Sequence, residues 1–140
     1  MAKDTAHLLH ELKTCSDFRT FYRENMNELP TRTLSVCLNE LLEAHGLKKA
    51  DVIRRAELSE VYGYQIFSGL RVPERKKLLC LAIGMELPLD ELQTLLKTTG
   101  YAPLYAKNPA DCVVIYGVCR RYSVVQINDI LFDYGMETLS

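Results

Sequence analysis

The run Ser59-Glu60-Val61-Tyr62-Gly63-Tyr64-Gln65-Ile66-Phe67-Ser68-Gly69 constrains the fold more than any other part of the chain. A serine suited to capping exposed amides opens it, and a glycine suited to the left-handed stop closes it. The run therefore predicts a helix from Glu60 to Ser68. A helix this short does not persist alone in water, so its shape has to come from packing on neighbours. The chain around it must be a bundle.

Those neighbours read as helices too. Leu34, Cys37, Leu38, Leu41, Leu42 and His45 recur at spacings of three and four before Gly46, and Lys49 to Ala56 predicts a second helix with Val52, Ile53 and Ala56 inward. After Gly69, Leu70-Arg71-Val72 predicts a basic loop, followed by a helix opened by Pro73 with Leu78, Leu79, Ala82 and Met85 inward. The next helix starts at Pro88, with Asp90 and Glu91 in a first turn where the helix dipole favours anions, and ends at Thr99-Gly100.

Upstream, residues 5–13 and 16–27 predict two short helices carrying Leu8, Leu9 and Leu12 and then Phe18, Phe21 and Tyr22, ended by Leu29-Pro30. Downstream, residues 101–107 lack helical periodicity. Asn108-Pro109 then opens an apolar helix, and Ser123 with Gln126 has the spacing of a capping box before a last helix with Ile127, Ile130, Leu131 and Tyr134 inward and Gly135 as stop. The consecutive Val113-Val114-Ile115 would suit a strand as well, but the flanking caps favour helix. The expected class is all-α. Short N-terminal helices occupy residues 1–30, a helical bundle residues 31–100 and a helical hairpin residues 101–140.

Five cysteines without a C-x-x-C pair, and His7 and His10 without a third ligand nearby, give no metal-site pattern. Cys37, Cys80, Cys112 and Cys119 sit among apolar neighbours and are expected to be reduced and mostly buried. No cofactor motif occurs. No Gly-rich phosphate loop, paired Cys and His or H-E-x-x-H appears either, which argues against an enzyme. Without an apolar run long enough to span a bilayer, or an apolar leader after Met1, the expected location is the cytoplasm, away from membranes. The chain's charge of −1 hides an asymmetry. Residues 46–77 hold eight Lys and Arg against four Asp and Glu, a net +4, which leaves −5 elsewhere. A basic face on an acidic body suits a polyanionic partner.

Residues 34–97 resemble a Cro/cI-type, lambda-repressor-like (XRE-family) helix-turn-helix domain, a five-helix bundle found in phage repressors and bacterial regulators. The resemblance is carried by Leu41-Leu42-Glu43-Ala44-His45-Gly46-Leu47, by Asp51-Val52-Ile53-Arg54-Arg55-Ala56, and by Ser59 through the Gly69-Leu70-Arg71-Val72-Pro73 ending. It implies a sequence-specific DNA-binding transcription regulator whose helix after Ser59 lies in the major groove. Glu60, Val61, Tyr64 and Gln65 would then meet bases. Gln65 suits adenine, Val61 a thymine methyl and Glu60 the cytosine amino group. Lys49, Ser68, Arg71, Arg75 and Lys76 would hold phosphates. With about eight such contacts in a dimer, affinity would fall by ~10³ to 10⁵ between 50 and 200 mM salt.

Two positions depart from the family. Lys48-Lys49 puts a point charge where a Ser or Thr followed by Gln is common. Gly63 replaces a branched apolar anchor, which costs ~1 kcal/mol relative to alanine and implies a gap for Tyr62 or Phe67 to fill. The apolar C-terminal hairpin would join two copies or receive a protein partner. The alternative function is a protein-interaction adaptor, or antitoxin-like partner-binding module, on the same bundle.

Overall fold

The computed structural model describes residues 5–14, 17 and 33–140, and all regular structure among them is helical. The predicted helix over 16–27, with Phe18, Phe21 and Tyr22, lies outside the described residues, as does Cys15. Thr5–Thr14 forms α1, on which His7 Nε2 meets Glu11 Oε1 at 2.8 Å. His7 and His10 are both exposed.

From Thr33 onward the chain is a second compact unit. Its helices are α2 (Leu34–His45), α3 (Lys49–Arg55), α4 (Glu60–Ser68), α5 (Arg75–Gly84), α6 (Leu89–Thr98), α7 (Pro109–Cys119) and α8 (Val124–Asp133). The caps act as their chemistry dictates. Ser59 Oγ accepts from the Tyr62 amide at 3.2 Å, Gly69 stops α4 at φ 86°, Asn108 accepts from the Asp111 amide, and Ser123 and Gln126 complete a reciprocal capping box. Residues 113–115 are helical.

The core is centred on α3. Gly63 of α4 rests directly on Ile53, where an added Cβ would lie 2.5 Å from Ile53 Cγ2. Gly84 of α5 closes on the other part of α3, where a Cβ would lie 2.7 Å from the Val52 carbonyl oxygen. The gap expected at Gly63 is therefore absent. Its filler is neither Tyr62 nor Phe67 but Ile53, reaching across from α3, and the lost side chain on α4 becomes a close helix approach.

Other expectations need correction. Helix α5 begins at Arg75 rather than Pro73, because the backbone is still extended at Glu74 and the Pro73 carbonyl accepts the Tyr101 hydroxyl at 2.6 Å. Cys37 and Cys80 are buried, and burial pushes the Cys80 thiol up to about 11. Cys112 and Cys119 are exposed. Helix α7 is apolar nearly all round, so apolar neighbours do not reveal its inner face, which Val114, Gly117 and Val118 form. Tyr134 lies beyond the last helical turn and is exposed, while Leu139 of the following segment enters the core.

No helix among the described residues is long and apolar enough to cross a membrane. Nor is any group of three or more His, Cys, Asp or Glu placed there to hold a metal ion.

Candidate nucleic-acid interface

Helix α4 divides cleanly into two faces. Gly63, Ile66 and Phe67, at spacings of three and four, are buried against α2 and α3. The opposite face carries Glu60, Val61, Tyr64 and Ser68 to solvent, with Tyr62 and Gln65 half-buried at its margins. The burial of one side thus determines what the other displays.

Lys49, at the first turn of α3, joins that display. Together with Glu60, Val61, Tyr64, Gln65 and Ser68 it lines a shallow hollow of about 540 Å³. All four side chains expected on bases and two of the five expected on phosphates therefore share one surface. Lys49 Nζ lies 5.9 Å from the centroid of the Phe67 ring, a cation–π distance that orients it over the C-terminal half of α4. Ser68 Oγ donates to the Gln65 carbonyl at 3.1 Å.

The end of α4 is pinned from outside by Asn39. Its Nδ2 donates to the Phe67 carbonyl at 2.9 Å and to the Ser35 carbonyl at 2.7 Å. Beyond Gly69, the Leu70 and Arg71 amides both donate to the Gln65 carbonyl, so the loop leaves α4 in a defined direction. Arg71 is exposed on it. So are its neighbours Leu70 and Val72, at 72% and 82%, and the Tyr101 bond to Pro73 braces the far end of the loop.

Arg75 and Lys76 are engaged elsewhere. The Arg75 guanidinium donates to both Asp111 oxygens, at 3.0 and 2.9 Å, and to the Ala102 and Pro103 carbonyls at 2.9 and 3.1 Å. Its fork is committed to joining α5, the connector over 101–105 and α7, so it is not presented for phosphate. Lys76 Nζ meets Glu137 Oε2 at 2.6 Å. The basic cluster read from the sequence is thus split. Lys49 and Arg71 face outward, whereas Arg75 and Lys76 of α5 are met by carboxylates from beyond residue 100.

Asp111, Asn39 and Tyr101 were not singled out from the sequence. Asp111 had a signal, a carboxylate just after the Asn108 cap, but dipole complementarity already explained it. It is the one charged side chain buried among the described residues. Burial pushes its carboxyl up, but the Arg75 hydrogen bonds, the Tyr105 amide and the Arg75 charge together bring it below the usual carboxylate range. A carboxyl lowered on folding contributes stability that is fully present above its unfolded value, about 3.9. That contribution is lost as pH falls through the lower folded value. The acid limb of thermal stability below about pH 4 should accordingly become shallower in Asp111→Asn, as thermal unfolding across that range would show.

No family model, curated protein or solved structure matches the chain.

Proposed function

We propose that the chain is a sequence-specific DNA-binding transcription regulator of helix-turn-helix design. In this reading α2 to α6 are the five-helix bundle, and α3 and α4 are its DNA-facing pair. The observation that carries it is the α4 face: Glu60, Val61 and Tyr64 stand in solvent, with half-buried Gln65 at their margin, beside Lys49 and Ser68, on a helix whose other side is locked into the core. The dimensions are suitable, since a helix presenting three or four side chains over two turns fits a major groove. Two copies would associate through the hairpin, whose surface exposes Phe132 and Tyr134.

With Arg75 committed internally, the charged phosphate contacts reduce to Lys49 and Arg71 in each copy. About four in a dimer would lower affinity by ~10² between 50 and 200 mM salt, less than the sequence alone implies. Fluorescence anisotropy on duplexes selected from a random pool checks this. Arg71→Gln should weaken all sequences alike and flatten the salt slope by ~0.9 per copy, whereas Gln65→Ala should change which bases are preferred. Binding that ignores salt is incompatible with the proposal.

One observation favours an adaptor as the second reading. Val61 on α4 and Leu70 and Val72 on the loop that follows it expose apolar surface, as a protein partner would use. The same selection decides between them, because an adaptor enriches no sequence even at low salt.

A further inference from the structure

The segment after α8 is held in place, although most of its side chains are exposed. Leu139 is buried, its amide donates to Asn128 Oδ1 at 2.8 Å, and its carbonyl lies 3.7 Å from Cys80 Sγ. Asn128 Nδ2 also donates to Ser140 Oγ at 2.8 Å. These contacts fix the backbone around Glu137, whose carboxylate is set against Lys76 at 2.6 Å while its side chain remains 87% exposed.

Lys76 and Arg75 therefore differ in kind. Arg75 makes four hydrogen bonds, two of them to the buried Asp111 carboxylate, and removing it would leave that carboxylate without its donor. Lys76 makes one ion pair in water, where such pairs contribute little and exchange readily. A backbone phosphodiester offers Lys76 what the Glu137 carboxylate does, two oxygens sharing one negative charge.

We infer that Glu137 is a built-in competitor for phosphate at Lys76, so that the C-terminal segment holds DNA affinity below the level set by the basic loop alone. The inference rests on the DNA-binding reading and adds a control to it. When DNA takes Lys76, Glu137 is left as a fixed negative charge close to the phosphate, and the approach is opposed. Coupling is reciprocal, so bound DNA must loosen the segment by the factor by which the segment weakens DNA.

The experiment uses the full chain, a short fluorescent duplex and four proteins: wild type, Glu137→Gln, Lys76→Gln and the double variant. Among the described residues the Glu137 side chain pairs with Lys76 and is otherwise exposed, so Glu137→Gln should fold normally. Glu137→Gln is expected to bind about two- to fivefold more tightly than wild type. Its salt slope should steepen by ~0.9 per copy, because Lys76 now releases a counterion of its own. In the Lys76→Gln background the same substitution should change nothing. Wild-type affinity and slope in Glu137→Gln would overturn the inference and leave the DNA reading standing. An equal gain in both backgrounds would overturn it too, since that is the effect of net charge alone. If neither wild type nor Glu137→Gln binds duplex at low salt, the DNA reading fails and takes the inference with it.

Discussion

Gly63→Val is expected to destabilise the protein by about 3 kcal/mol, the upper end of ordinary overpacking. The first added carbon already falls 2.5 Å from Ile53 Cγ2, with Ile53 Cγ1 and Cδ1 at 2.6 and 2.8 Å. Ile53 is buried and has no solvent to move into. Valine's better helix propensity offsets only a few tenths of a kcal/mol. Denaturant unfolding followed by circular dichroism measures the loss. Combining Gly63→Val with Ile53→Ala should recover at least ~1 kcal/mol relative to the sum of the single changes, because the new side chain then occupies the space that the old one leaves. An unchanged unfolding midpoint in Gly63→Val would contradict the close approach of α3 and α4.

Arg75→Met should cost roughly 2–4 kcal/mol. The substitution keeps much of the apolar stem but leaves the Asp111 carboxylate and the Ala102 and Pro103 carbonyls without their donor. The range lies below that of a fully buried pair because the Arg75 side chain retains 31% of its exposure. Arg75→Met with Asp111→Leu should recover most of the loss, since removing both members of a buried pair is far milder than removing one. Thermal unfolding of the three variants tests this, and a double variant no better than Arg75→Met would contradict it. The result bears on function. Under the proposed DNA-binding function, charge reversal at Arg75 would weaken binding by way of the fold, so Arg71 is the more informative position for phosphate contact.

The sequence made the helix boundaries legible wherever a cap announced them. Ser59, Gly69, Asn108 and the Ser123–Gln126 box each sit where their local chemistry places them. The outward face of α4 was legible only through the family resemblance, because its apolar residues fall on both sides, with Val61 and Tyr64 exposed and Ile66 and Phe67 buried. What local chemistry left hidden is tertiary. Nothing near Gly63 in sequence indicates that Ile53 fills its space, and nothing near Arg75 indicates that its partner lies 36 residues away. Cys112 and Cys119 were misplaced because α7 is apolar around most of its circumference, so composition could not orient it. A basic run was legible as charge but not as available charge, since the carboxylates that meet Arg75 and Lys76 come from the far end of the chain.

The contacts that Gly63 and Gly84 make with α3 also set where the molecule is stiff. A helix of seven residues would spend almost no time helical in isolation. Here it is gripped on two sides, by Gly63 resting on the Ile53 side chain and by Gly84 closing on the Val52 carbonyl and the Ala56 amide. Opening α3 therefore requires separating α4 and α5 from it together, so its amides are tied to global rather than local opening. The shortest helix among the described residues is thus held by its neighbours rather than by its own length.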